Sequence, residues 1–275
     1  MSNVEYHLYR TKFIRSAQAD FFDPGLTPME LFEYAIKAKP SVQLTKSNVW
    51  HIGNIEYIEQ HVGRFAIGRT TKTTLEKFDP DSGDFVQEID DSGPYTFVYF
   101  DAKIGLLGIA RKTRLSQNVE AIARKIKALL IKSALVQQCK VEVLVDHVPD
   151  PEGFLEKIRT AYSIKRFKAT FTGPNPVDAD ELFQRPLSVY CQEINGNKGS
   201  VVVEGEALSE PVVAAVAKST AATANNASAL IQTERGSRPI PISFSGDAKK
   251  IFMDATSSKE EVSNKIREGY REVRE

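Results

Sequence analysis

Residues 95–136, YTFVYFDAKIGLLGIARKTRLSQNVEAIARKIKALLIKSALV, leave the fewest ways to fold. Two apolar, β-rich runs, 95–100 and 104–110, flank the short polar stretch Asp101-Ala102-Lys103, the pattern of a β-hairpin. Arg111-Lys112-Thr113-Arg114 then leads to Ser116, a residue type that caps helices. Beyond it Val119, Ile122, Ile126, Leu129, Leu130 and Ser133/Ala134 recur at spacings of three and four, which predicts one long helix with a single buried stripe. Arg124, Lys125, Lys127 and Lys132 fall away from most of that stripe. From Lys103 to Lys132 eight Lys or Arg stand against one acid, Glu120, a net charge of +7. Such a unit offers core on one side and a cationic strip on the other.

Around it the chain reads as alternating short elements. Val4–Arg10 alternates like a strand. Thr27, Pro28 and Glu30 form a capping-box start for a helix with Leu31, Phe32, Ala35 and Ile36 inward. Segments 48–58 and 63–75 read as paired strands, followed by a solvated excursion from Asp79 to Asp91 with six acids and no base. The second half reads as strand 139–148, a helix from Asp150, strand 163–172, a helix from Asp178 to Ile194 interrupted by Pro186, and strand 200–204. A helix over 210–222, a hairpin over 227–244 and a polar helix over 258–274 follow. The pattern predicts an α+β fold in two lobes. Residues 1–136 form an antiparallel β-meander with a long helix, and residues 137–275 a β-α-β-α-β-α lobe.

Composition excludes several classes. The 36 basic and 36 acidic side chains cancel, so no net field draws the whole chain to DNA or membrane, and segregation of charge matters more than its sum. Two cysteines, Cys139 and Cys191, cannot make a disulfide scaffold and point to a reducing compartment. The absence of a signal-like leader or a span of about 20 apolar residues makes a cytoplasmic protein without membrane insertion the expectation. No phosphate-binding Gly-rich loop, nucleophile elbow or dinucleotide fingerprint occurs, so no cofactor is expected. His7, His51, His61 and His147 lack the spacing of a zinc site, and no metal is expected. Gly196-Asn-Lys-Gly199 has the letters of a nucleic-acid clamp but leads into a strand, as a helix-ending turn does. Asp91 with Asp101-Ala-Lys103 fits loosely the acids and lysine of a metal-dependent nuclease, yet Asp247-Ala-Lys249 repeats those letters in a loop.

The basic groups are the strongest functional signal. Arg111, Lys112, Arg114, Arg124, Lys125 and Lys127 are candidates for a main phosphate contact, with Lys165, Arg166 and Lys168 as a second edge. Lys157 and Arg159 extend the second group, and Arg64, Arg69, Lys72 and Lys77 add charge on the 63–77 strand. A solvated face paired with the acidic 79–91 excursion accounts for the same residues. If that excursion folds over the basic strip, it competes with DNA.

The strings YHLYRTK (6–12), GRFAIGR (63–69), YTFVYFD (95–101) and IGLLGIAR (104–111), in that order and ahead of a closing basic-acidic helix, resemble the phage exclusion proteins of the lambda RexA type and related antiphage proteins. The likeness is one of element order and short strings over the whole length. It implies a two-lobed, dimeric protein of a prophage or defence system that binds duplex DNA without sequence preference. The neutral total charge and the acidic excursion depart from that pattern. The enzyme alternative is the nuclease above; the other is a module recognising a phage or partner protein.

Overall fold

The computed structural model describes residues 3–15, 25–45, 48–172 and 180–275. The first half holds β1 (Asn3–Ile14), α1 (Pro28–Lys37), β2 (Ser41–Thr45), β3 (Asn48–Glu59), β4 (Val62–Asp79), β5 (Asp84–Ser92), β6 (Tyr95–Asp101), β7 (Leu106–Ala110), α2 (Val119–Ile131) and α3 (Ala134–Gln138). The second half begins with β8 (Glu142–His147), α4 (Glu152–Thr160), β9 (Ser163–Thr172), α5 (Gln184–Glu193) and β10 (Lys198–Glu204). It ends with α6 (Glu210–Ala222), β11 (Ala227–Gln232), β12 (Ile240–Ser243), β13 (Lys250–Asp254) and α7 (Lys259–Arg274). The fold is α+β, with every strand pair antiparallel.

A nine-stranded sheet runs β13-β1-β7-β6-β4-β3-β2, with β8 also on β1 and β5 on β4. A second sheet runs β10-β9-β11-β12. Position 136 does not divide the large sheet, because β8 and β13 pair with opposite halves of β1. Strand alternation sends successive side chains of β1 to opposite faces. Tyr6 and Leu8 enter one core with α4, α6, α7 and the inner face of the small sheet. Tyr9 and Phe13 enter the other core with α1 and α2. The molecule is therefore layered: α1 and α2, the large sheet, the α4/α6/α7 layer, and the small sheet outermost.

Local sequence explains most of these elements. Thr27 Oγ1 accepts from Glu30 N at 3.2 Å while Glu30 Oε2 accepts from Thr27 N at 2.7 Å, the reciprocal capping box read from the sequence. Ser258 and Glu261 do the same for α7. The hairpin of β6 and β7 forms as expected, its turn closed where Asp101 Oδ1 accepts from Lys103 N at 3.1 Å. Gly105 in that turn has φ +65°, and a Cβ there would lie 2.5 Å from Thr11 O. Gly108 lets α7 approach closely, since a Cβ would meet Ile266 Cδ1 at 2.4 Å.

Three expectations need correction. The cap of α2 is Asn118, whose Oδ1 accepts from Ala121 N at 2.8 Å, rather than Ser116. Leu115 N and Ser116 N instead donate to Lys112 O in a turn before the helix. The long helix breaks at Ser133, which has the extended angles φ −59° and ψ 129°, so α2 ends and α3 begins. Asp180 Oδ1 and Oδ2 accept from Phe183 N (2.6 Å) and Gln184 N (3.1 Å) at the start of α5; Pro186 lies inside its first turn, where no N–H is needed. Asp178 lies outside the described residues.

Candidate functional site

The basic candidates lie in two places. On α2, Val119, Ile122, Ala123, Ile126, Leu129 and Leu130 are buried against the large sheet. That leaves Arg124 exposed and Lys125 and Lys127 half-buried at the flanks. Lys125 Nζ sits 5.9 Å from the Trp50 ring centroid, covering an aromatic with its stem. Arg124 is close enough to Tyr9 to oppose the upward push that burial and the Glu120 carboxylate give the phenol. In the connection before α2, Arg114 is exposed, and Lys112 Nζ lies 4.9 Å from the ring of the exposed Tyr95. Arg111 is answered by an acid: its Nη1 lies 3.0 Å from Glu5 Oε2. Among the described residues no ion pair engages Lys112, Arg114, Arg124, Lys125, Lys127 or Lys132.

The β9 group is different. Phe167 and Ala169 point into the core, so Arg166 and Lys168 point outward from the small sheet. Arg166 stands opposite Glu204 of β10, with Nε 3.2 Å from Glu204 Oε1. Lys165 Nζ donates to Glu206 O at 2.6 Å and lies 3.4 Å from Glu206 Oε2. Arg159 pairs with Glu152 at 3.4 Å. Lys168 is exposed opposite Val202. The layering puts this group and the α2 face on opposite outer surfaces, so the structure does not bring the two basic sets into one groove. Arg64 is also answered, 2.8 Å from Glu56 and 4.5 Å from the centre of the Phe97 ring.

The acidic excursion is a ribbon. β4 and β5 pair from Thr71–Ser92 to Asp79–Asp84, and past Thr71 that part of β4 has neither β3 nor β6 beside it. Asp79 caps its own turn, accepting from Asp81 N at 3.0 Å and Ser82 Oγ at 2.8 Å. No described ion pair joins this ribbon to α2. At its tip Phe78 and Phe85 stack edge to face, 5.3 Å apart, while 55% and 82% exposed.

The nuclease candidates are not assembled into a metal centre among the described residues. No group of three or more His, Cys, Asp and Glu is placed to hold a metal there, and the side chain of Asp91 lies outside the description. Asp101 serves the hairpin turn, and burial raises its pKa above the ordinary carboxylate value. Gly196 N donates to Cys191 O at 2.7 Å, ending α5. The histidines are dispersed: His7 meets Glu5, His61 meets Glu33, His51 bridges Ser41 and Thr70, and His147 packs edge-on to Tyr9. No helix among the described residues is long and apolar enough to cross a membrane.

No protein-family model matches the chain, and no curated protein is significantly similar to it.

A second polar cluster was not read from the sequence. Arg10 (0% exposed) and Lys12 (3% exposed) follow Tyr6 and Leu8 on the inward face of β1. Arg10 Nη1 donates to Tyr270 Oη and, at 3.3 Å, to Ala222 O. Lys12 Nζ donates to Thr172 Oγ1 at 2.9 Å. Gln184 bridges Thr170 O and Thr220 Oγ1 (3.3 and 3.1 Å), and Asn225 Nδ2 donates back to Gln184 Oε1 at 3.3 Å. Burial pushes the Lys12 pKa down to about 7; Asp146 opposes this and Arg10 adds to it. The available signal was the two-residue period: a strand with Tyr6 and Leu8 inward also carries Arg10 and Lys12 inward.

Proposed function

We propose that the protein binds nucleic acid, duplex DNA foremost, without sequence preference, as part of an antiphage or phage-exclusion system. Arg114, Arg124, Lys125 and Lys127 make the main phosphate contacts, with Arg111 and Lys112 beside them. The single observation carrying this reading is the contrast in charge pairing. The α2 cations have no described acid within ion-pair distance, apart from Arg111, whereas the β9 cations mostly do. Unanswered cations release the counterions of DNA on contact, which is the source of affinity for any sequence. Lys165, Arg166 and Lys168 are secondary, because the acids that hold Lys165 and Arg166 must first give way. A dimer, which the resemblance to exclusion proteins implies, doubles the phosphates within reach.

The test is binding of a labelled random-sequence duplex across a salt series, with and without magnesium. About six phosphate contacts give a log–log salt slope of about −5. The expected result is steep salt dependence with the duplex intact. Absence of binding at low salt rejects the reading.

The ribbon tip favours a second reading, recognition of a phage or partner protein. Phe78 and Phe85 are large, exposed and adjacent, as anchors of protein interfaces are. A two-stranded ribbon alone is marginally stable in water, so a partner would also order it. Complex formation that survives nuclease treatment and is lost with Phe85→Ser supports this reading over the first.

A further inference from the structure

The small sheet has two edges, and only one is guarded. At β12 the edge carries Pro241, which has no N–H to offer a further strand, with Pro239 just before it. The opposite edge is β10, Lys198-Gly-Ser-Val-Val-Val-Glu204. It has no proline, an unbroken register on β9 and, among the described residues, no strand on its other side. Val202 and Val203 are 43% and 46% exposed there. The helix α5, which runs into β10 and packs against β9 and β10, leaves Val189, Tyr190 and Ile194 exposed as well. An open strand of this kind is a template for another strand.

The phase of the ladder shows which backbone groups are free. Gly205 N donates to Lys165 O at 3.0 Å, in the register that also pairs Val203 with Phe167 and Val201 with Ala169. Antiparallel ladders alternate, so Gly199, Val201 and Val203 bond to β9. Lys198, Ser200, Val202 and Glu204 turn their N–H and C=O groups to the open side.

The side chains then select the partner. A copy of β10 laid antiparallel about a two-fold axis at Val201 sets Ser200 against Val202 and Lys198 against Glu204, so each outward N–H meets an outward C=O. The ends of the strand carry opposite charges, and this register places them face to face. Lys198 is exposed and in no ion pair among the described residues. The Glu204 side chain remains 66% exposed beside Arg166. An axis at Ser200 would set Lys198 against Val202 and Glu204 against Gly196, matching no charge.

We infer that β10 pairs with β10 of a second copy of this chain, joining the two small sheets across a two-fold axis at Val201. The α2 face lies beyond the large sheet from β10, so the contact leaves it open in both copies and does not depend on the DNA-binding reading.

Sedimentation velocity of the full chain over about 1–100 μM, without nucleic acid, tests the assignment, and a dimer should form within that range. Val202→Pro removes an outward N–H and no bond to β9, so it should weaken the dimer about tenfold or more with Tm nearly unchanged. Lys198→Glu and Glu204→Lys should each weaken it similarly, by setting like charges opposite one another. An equimolar mixture of these two variants should restore the dimer, because each copy supplies the charge the other lacks. Misfolding cannot imitate that recovery. A wild-type chain that stays monomeric at about 100 μM overturns the assignment and leaves the edge to a strand of a different protein. A dimer that Val202→Pro leaves intact, or a mixture that stays monomeric, overturns it as well.

Discussion

The α2 face and the outer face of β9 carry similar densities of Lys and Arg, yet only β9 has acids brought to it. On β9 the antiparallel register sets Glu204 opposite Arg166, and the turn after β10 returns Glu206 to Lys165. On α2 the three- and four-residue spacing brings only Glu120 into reach of Arg124, and the two form no described ion pair. A run of charge along a chain therefore does not define a charged surface. What the folded partner strand presents decides whether the charge remains available to a ligand.

The largest expected effect comes from a third environment, in which a cation is answered by burial instead of by an acid. Unfolded Lys12 keeps its proton to about pH 10.5, while the folded residue releases it near about pH 7. Between these values the unfolded state binds more protons, so stability rises with pH; below about 7 both states are protonated and the full cost remains. At 1.36 kcal/mol per unit, the rise amounts to roughly 3–5 kcal/mol from Lys12. Lys12→Met should stabilise the protein below pH 7 and remove that rise; denaturant melts of the two proteins at pH 6 and 10 check this. Identical pH profiles contradict it.

Next comes charge reversal on α2. Arg124→Glu with Lys127→Glu should weaken random-duplex binding by about 100-fold or more at low salt, with Tm nearly unchanged because neither side chain enters the core. The corresponding alanine pair should cost about tenfold, uniformly across sequences, and flatten the salt slope by about 2. On β9, Lys165→Ala with Arg166→Ala should change affinity by less than about threefold, since both are answered by acids and such surface pairs are worth about 0–1 kcal/mol. If this pair matters more than the α2 pair, the comparison is broken. Glu204→Gln with Glu206→Gln sharpens it from the other side: freeing the β9 cations should tighten binding by about twofold.

Local rules reached much of the fold. The capping box of α1, the β6–β7 hairpin, β9 and the closing helix α7 all announce themselves over a few neighbouring residues, where propensity and capping act. The cap of α2 was displaced by two residues because Ser116 belongs to the preceding turn, its N donating to Lys112 O, and Asn118 Oδ1 is the oxygen that accepts from Ala121 N. The split of α2 from α3 turns on buried Ser133, whose backbone is set by packing and not by helix propensity. Pairing of β8 and β13 with β1 spans more than a hundred residues, and no local signal carries it. The candidate site divides the same way. The α2 cations were visible as a cluster, whereas neutralisation of β9 by Glu204 and Glu206 depends on register. The buried polar cluster around Arg10 and Lys12 depends on which layer covers β1.

The most direct test is the salt dependence of random-duplex binding for the wild-type chain beside the Arg124→Ala/Lys127→Ala and Lys165→Ala/Arg166→Ala pairs. A steep wild-type slope, flattened by about 2 in the first pair and preserved in the second, is the predicted result. Equal slopes in all three proteins, or no binding at low salt, would contradict it.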